Sequence, residues 1–321
     1  MESSGGLSEA YDSRPLPSSL SRFYDNILFS PEGKLLLLTS NLTARFWTGS
    51  LWLFENAESV SPEMALCDMC LPSASGCMSV IPEKSQVIVG LDDGSVSVIK
   101  INKTDGWNFS CFASAIEHDA GISALDITSQ NEKIVSGADD GMIKVWDTNS
   151  LISTTTFRNT HSDSISDICC SPEDPNVFVS CSVNGEITWW DLRLPKPAKD
   201  IPYENECSSS SCLTFTNSGN IAFGTESGHV LVKDIKNLDA PSNILRSHNR
   251  RIHRIKSFQN YLAVGADHSK LVILEAGSSG DYTIRYQDNK HTDFIRGLSW
   301  NPVTRSVYSS GWDGRILRHS I

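Results

Sequence analysis

Ala138–Asp147 reads ADDGMIKVWD, and its pattern decides the fold. A turn ending at Gly141 leads into an alternating run in which Ile143 and Val145 share one face, as a half-buried strand requires. The same layout recurs as LDDGSVSVIKI from Leu91, VNGEITWWD from Val183, ESGHVLVKDI from Glu226 and WDGRILRHSI from Trp312. With Gly49, Gly94, Gly141, Gly185, Gly228, Ser269 and Gly314 taken as equivalent anchors, the spacings are 45, 47, 44, 43, 41 and 45. A period of this kind means stacked copies of one supersecondary unit. Seven units follow, with Ser269 replacing Gly at one anchor.

Working outward, four units carry a His with an Ile four residues later: His118–Ile122, His161–Ile165, His248–Ile252 and His291–Ile295. The dipeptide Trp-Asp closes two units, at Trp146–Asp147 and Trp190–Asp191. Strand-forming runs such as KLLLLTS, SQVIVG and NVFVSCS fill the rest, broken by Gly, Asp, Asn and Ser, and no long amphipathic helix is apparent. This arrangement resembles the WD-repeat β-propeller, in which each unit gives four strands and the blades surround a channel. The expected fold is all-β: seven blades over residues 23–321, preceded by an N-terminal segment, 1–22. The third strand of the seventh unit ends close to Ile321, so residues 1–22 are the available donor of a closing strand that would hide an open sheet edge.

The resemblance also implies a polar network inside each blade. In the family a loop His bonds an Asp in the turn between the second and third strands, and a Ser or Thr and the Trp complete the set. In the third unit those places fall to His118, Asp139, Ser136 and Trp146. The other units depart from the pattern: Val183 replaces the Asp in the fourth, Leu274 the Trp in the sixth and Trp312 the Asp in the seventh.

Bulk properties narrow the function. A formal charge of −11 argues against general affinity for nucleic acid or anionic membranes and suits basic partners. The basic run HNRRIHRIK (His248–Lys256) is broken by Ile252 and Ile255 as a blade strand would be, so it reads as a solvated or salt-bridging face. No apolar run is long enough to span a membrane as a helix, and the Ser-rich N-terminus lacks the features of a signal peptide. The expected compartments are therefore reducing, cytoplasm and nucleus, with the nine cysteines as free thiols. The lone CxxC at Cys67 and Cys70 has no second pair at zinc-site spacing.

The His and Asp residues recur with the blade period, whereas a catalytic site needs an unrepeated constellation. No nucleophile elbow, phosphate-binding loop, HExxH or dinucleotide fingerprint occurs. No catalytic, metal-binding or cofactor-binding residues are assigned. WDLR at Trp190–Arg193 matches a short motif of WD-repeat receptors of cullin-type ubiquitin ligases, with Asp191 and Arg193 as the adaptor contacts. The plainer reading is that Trp190 packs and Arg193 begins a connection kept extended by LPKP. The serines Ser208–Ser211 read as a flexible entry into the fifth blade.

One stretch breaks the repeat. TARFWTGSLWLF (Thr43–Phe54) follows an interval of fifteen residues from Lys34 to Gly49, where the third unit spans eight from Lys133 to Gly141. Trp52 corresponds roughly to Val145 and Trp146 and, with Phe54, belongs to blade packing. The added residues predict an enlarged loop on the top face, the one carrying the repeated His loops, with Phe46 and Trp47 near its end. Large aromatics on a protruding loop are interface hot-spot residues, unless they fold back on the first blade. Phe294 stands where other units have Gly121, Ser164 and Arg251, and it reads as a contact residue. Arg251 joins Trp47, Phe46 and Phe294 as a partner-binding candidate.

WTGSLWLF in the first unit, NVFVSCSVNGEITWWDLRLPKPA in the fourth and HTDFIRGLSWNPVTRSVYSSGWDG in the seventh together resemble the methylosome WD-repeat family. These propellers are partners of the type II protein arginine methyltransferase. The resemblance implies a non-catalytic subunit of a hetero-octamer, a first-blade Trp (here Trp47) inserting into the methyltransferase, and help in recruiting arginine-rich substrates such as histone tails and Sm proteins.

Overall fold

The structure, a computed structural model, describes residues 23–43, 46–58, 60–158, 161–202, 209–240, 242–277 and 280–320. They form seven antiparallel sheets of consecutive strands, with no helix among the described residues longer than a single 3-10 turn. Blade one runs outward through β1 (Phe23–Phe29), β2 (Leu35–Thr43), β3 (Phe46–Phe54) and β4 (Ala65–Leu71). The first strands of successive blades pack on one another all round, and that of blade seven, Ile295–Asn301, returns to β1. The protein is a seven-bladed propeller.

Burial follows position in the blade. Second strands such as Gln86–Gly90 and Val177–Ser182 are buried throughout, because neighbouring blades cover both their faces. Their sequences are correspondingly apolar rather than alternating. The outer strand Asn108–Ile116 alternates instead, with one side facing solvent. Core clusters span neighbouring blades: Phe178 stacks on Trp190 at 5.6 Å and Phe157 fills in beside it at 4.7 Å. Between blades one and seven, Tyr24, Ile27, Trp52 and Phe54 share a cluster with Tyr308, so the ring closes through side-chain packing.

Blade seven has three strands among the described residues, Ile295–Asn301, Ser306–Gly311 and Ile316–His319. The closing strand expected from residues 1–22 lies outside the described residues. Deleting residues 1–22 is expected to lower the melting temperature by about 5 °C or more, through loss of a paired edge. An unchanged melt would contradict that closure.

Gly141 adopts φ +71°, the left-handed conformation that its tight turn demands and that side chains resist. Gly94, Gly185, Gly228 and Gly314 turn in the same way. Gly49 is not their equivalent. It lies inside β3 opposite Ser40, where a Cβ would come within 2.5 Å of the Ser73 carbonyl oxygen. Trp52 likewise pairs with Leu37 as Lys144 pairs with Ser136, so it is Phe54 that occupies the place of Trp146. Both Trp52 and Phe54 are buried in blade one.

The polar network of blade three differs from expectation by one residue. His118 Nδ1 bonds Asp140 Oδ2 at 3.0 Å, and His118 Nε2 bonds Ser136 Oγ at 2.9 Å. Trp146 Nε1 donates to the same Ser136 Oγ at 2.9 Å. Burial holds His118 below its ordinary pKa, so the neutral ring donates from Nδ1 and accepts at Nε2. Asp139 is not the partner. Its backbone N donates to Gly121 O, which aims its side chain at the rim, while Asp140 also accepts from Asp119 N and Met142 N.

The same displacement restores blade seven, and blade four finds another acid. In blade seven His291 bonds Asp313 at 2.9 Å and Ser309 at 2.8 Å, so Asp313 supplies the acid and Trp312 replaces nothing in the network. In blade four the displaced position holds Asn184, and His161 bonds Ser180 at 2.7 Å and Glu186 at 3.3 Å, an acid reaching in from two residues further on. Buried polar groups demand partners, and in these three blades the loop histidine finds them from the side chains at hand.

Candidate functional site

The blade-one insertion is a β-ribbon, not a loop. β2 and β3 stay in register from Leu35↔Phe54 to Thr43↔Phe46, where blade three has already turned after Gly137↔Ile143. Within the ribbon Thr39 and Ser50 share a buried hydrogen bond of 2.7 Å, and Thr48 Oγ1 donates to Asn41 O. Leu42 pairs directly with Trp47, and residues opposite each other on antiparallel strands project to the same side. Trp47 is 43% exposed and Leu42 51% exposed. Phe46 begins β3, and its side chain lies outside the described residues.

Trp47 leads into an aromatic ridge across the ring closure. Its indole lies 5.6 Å from Phe23, Phe23 lies 5.2 Å from Trp312, and Trp312 lies 5.9 Å from Phe294. The Arg296 guanidinium sits 4.2 Å over the Trp312 ring and 5.7 Å from that of Phe294, which braces the ridge by cation–π attraction. The register explains the gathering. Trp312 N donates to Phe294 O just as Asp139 N donates to Gly121 O, Val183 N to Ser164 O and Asp267 N to Arg251 O. Trp312 therefore belongs to a ring of top-face turn residues otherwise held by Asp92, Asp139, Val183, Glu226 and Asp267.

That ring gives the mouth of the channel its charge. Arg251 faces Glu226 at 3.4 Å and Arg296 faces Asp267 at 3.5 Å, which offsets the acids over blades five to seven. Asp92 and Asp139 each have a raised pKa, from burial first and then from a neighbouring carboxylate, Asp139 acting on Asp92 and Asp140 on Asp139. The negative field is concentrated over blades two and three. His253 is held well below its ordinary pKa by burial and then Arg296, and its neutral ring contacts Arg296 Nη1 at 2.9 Å.

A depression of about 270 Å³ opens beneath Trp47, with Asp25, Asp92, His253, Arg296 and Trp312 among its walls. Trp312 Nε1 donates to Asp25 Oδ1 at 3.0 Å. Burial pushes the Asp25 carboxyl up to about 6 against the pull of hydrogen bonds from Ser40 and Trp312. Its folded-state pKa lies above its ordinary 3.8, so the folded chain holds the extra proton between those values and loses stability as pH rises through them. The penalty is complete above about pH 6 and is roughly 2 kcal/mol once partial exposure is allowed for. Asp25→Asn, whose amide oxygen can still accept from Trp312, is expected to melt a few degrees above the wild type at pH 7.5. The two should converge near pH 4, and an equal difference at both pH values would contradict this assignment.

The structure brings Trp47 and Phe294 into one ridge and leaves Arg251 outside it on blade six, paired with Glu226. Sequence reasoning missed Phe23, Leu42 and Trp312. Leu42 becomes visible only when the insertion is paired as a hairpin, and Trp312 only when the turn register is moved by one residue. Arg193 donates to both oxygens of Asp191, at 2.7 and 2.8 Å, and to Asp174 at 3.1 Å. Its guanidinium is thus paired within the blade, on a side chain that is 58% exposed. Ser210 and Ser211 are not a flexible entry: both are buried at the start of the strand Ser210–Phe215, and Ser208 lies outside the described residues. Cys67 and Cys70, three apart on β4, point to opposite faces, which cannot converge on one metal.

These features define a WD-repeat β-propeller. The family model described as "WD domain, G-beta repeat" matches residues 109–147, 152–191 and 277–317. The first match runs from the outer strand of blade two to the third strand of blade three, so the sequence repeat bridges neighbouring blades. The chain resembles Methylosome protein WDR77 of Xenopus laevis, 29% identical over 306 residues, which are 92% of this chain and 88% of that protein. It also resembles the Peroxisomal targeting signal 2 receptor of Schizosaccharomyces pombe, 26% identical over 61% of this chain and 65% of that one. A further relative is Protein transport protein SEC31 of Chaetomium globosum, 24% identical over 90% of this chain and 23% of its own length.

Proposed function

We propose that this propeller is the non-catalytic subunit of a protein arginine methyltransferase complex. The type II methyltransferase docks on the blade-one ribbon, with Trp47 as the inserted anchor and Leu42 beside it. Phe23, Trp312 and Phe294 continue the contact surface toward blade seven. The observation that carries this reading is the ribbon: it presents Trp47, 43% exposed, together with the exposed Leu42. Aromatic anchors with an apolar neighbour are the groups on which interface energy concentrates. Resemblance to the methylosome protein over 92% of the chain supports the choice of partner.

The acidic arc at Asp92 and Asp139 gives the same face a second role, drawing arginine-rich segments such as histone tails and Sm proteins toward the methyltransferase. Charge complementarity of this sort raises the encounter rate and weakens with salt. The assembly is a hetero-octamer and works in both cytoplasm and nucleus. Methyl transfer from S-adenosylmethionine takes place on the partner, so the propeller needs no cofactor. The test is a methylation assay on an arginine-glycine repeat peptide. Adding the propeller should accelerate transfer by the methyltransferase, while the propeller alone transfers nothing. A rate unaffected by its addition would overturn the reading.

A further inference from the structure

We propose that a groove between blades one and two, on the face opposite the Trp47 ribbon, binds a short segment of a partner protein that carries an apolar side chain next to a carboxylate. This goes beyond the methyltransferase reading and does not depend on it. The connections that frame the groove are the β1–β2 turn, the Pro82–Ser85 turn and the Lys103–Trp107 connection. All lie at the strand ends away from the top-face turns. The cavity measures about 420 Å³, within the range of ligand pockets, and Leu53, Val80, Pro82, Ile101 and Trp107 give it an apolar lining.

The charge arrangement selects the occupant. Two ammonium groups converge on one indole: Lys34 Nζ lies 5.2 Å from the Trp107 ring centroid and Lys103 Nζ 4.9 Å. Lys34 is neutralised by Glu55 through bonds of 2.9 and 3.0 Å. Lys103 makes no ion pair among the described residues, so the Trp107 end carries an uncompensated positive charge. Two carboxylates also line the groove, Glu32 and Glu83, the latter accepting from Asn131 Nδ2 at 2.8 Å, so the positive charge is local to Lys103 beside the indole. A ligand carboxylate set beside the indole would pair with Lys103. The adjoining apolar side chain would then displace water from Val80 and Ile101. Two contacts of opposite character at adjacent positions fit a peptide better than a free anion or a purely apolar molecule.

The experiment is fluorescence anisotropy of the full chain with two labelled, blocked hexapeptides, Ser-Asp-Leu-Phe-Asp-Ser and Ser-Lys-Leu-Phe-Lys-Ser. A chain of net charge −11 favours the basic peptide non-specifically. We expect the reverse, a preference of about tenfold or more for the acidic peptide, the effect of one local ion pair beside an apolar contact. Lys103→Glu, at an exposed position that leaves the fold intact, should invert the preference. Trp107→Leu should weaken the acidic peptide while the melt stays native, and Trp47→Ala should leave its binding unchanged. Equal binding of the two peptides, preference for the basic one, or an acidic preference that survives Lys103→Glu would overturn the proposal.

Discussion

Trp47→Ala is expected to weaken methyltransferase binding by about thirtyfold or more while the protein melts as the wild type does. Truncating a hot-spot aromatic costs on the order of 2 kcal/mol, which corresponds to that factor in affinity. The native melt follows from position. Trp47 is 43% exposed and its main packing contact is Phe23, which keeps its other neighbour, Trp312. Losing one tilted ring pair costs about 1 kcal/mol. Trp52→Ala supplies the contrast. Trp52 is 2% exposed in the core shared by blades one and seven, and its removal should cost about 3–5 kcal/mol of stability. A Trp47→Ala protein that binds at wild-type strength would remove the anchor role, and one that melts early would make Trp47 a packing residue.

Asp140→Ala should destabilise the protein by about 3 kcal/mol, and Asp139→Ala by less than about 1 kcal/mol. Asp140 accepts from the His118 ring, from Asp119 N and from Met142 N, so its loss strands a buried imidazole N–H and two backbone donors. The imidazole is the last link of a chain from Trp146 through Ser136, and its orientation depends on that carboxylate. Asp139 faces the rim, where the Asp140 charge raises its pKa and it in turn raises that of Asp92, so removing it relieves repulsion. Thermal melts of the two variants at neutral pH check the pair. Equal losses, or a greater loss for Asp139→Ala, would contradict the register. The same logic separates the seventh blade: Asp313→Ala should cost stability, and Trp312→Ala should cost partner binding.

The seven-bladed fold is legible in the sequence because the turn glycines and the strands after them repeat through most of the chain. What it leaves open is register at the scale of one residue. ADDG offers two adjacent acids in one tight turn, and successive turn residues aim their side chains differently. That single ambiguity placed Asp139 in the network, made Trp312 look like a defect there, and hid it as a top-face aromatic. Gly49 misled for a related reason: a glycine required by close approach to the Ser73 carbonyl resembles one required by a turn.

Of the candidate site, Trp47 is readable because the insertion lengthens one interval of an otherwise regular repeat. Its neighbours are not. Phe23 and Trp312 meet only because the ring closes, and no local pattern announces a contact between opposite ends of the chain. Asp25 shows the same limit, since its raised pKa comes from burial beneath residues of blades one and seven.

The propeller is expected to pair stably with a type II arginine methyltransferase. Size-exclusion chromatography with light scattering, on the two purified proteins mixed at micromolar concentration, tests it most directly. A single species of hetero-octameric mass, which separates into its components when Trp47→Ala replaces the wild type, is the expected result. Independent elution of the two wild-type proteins would contradict the account.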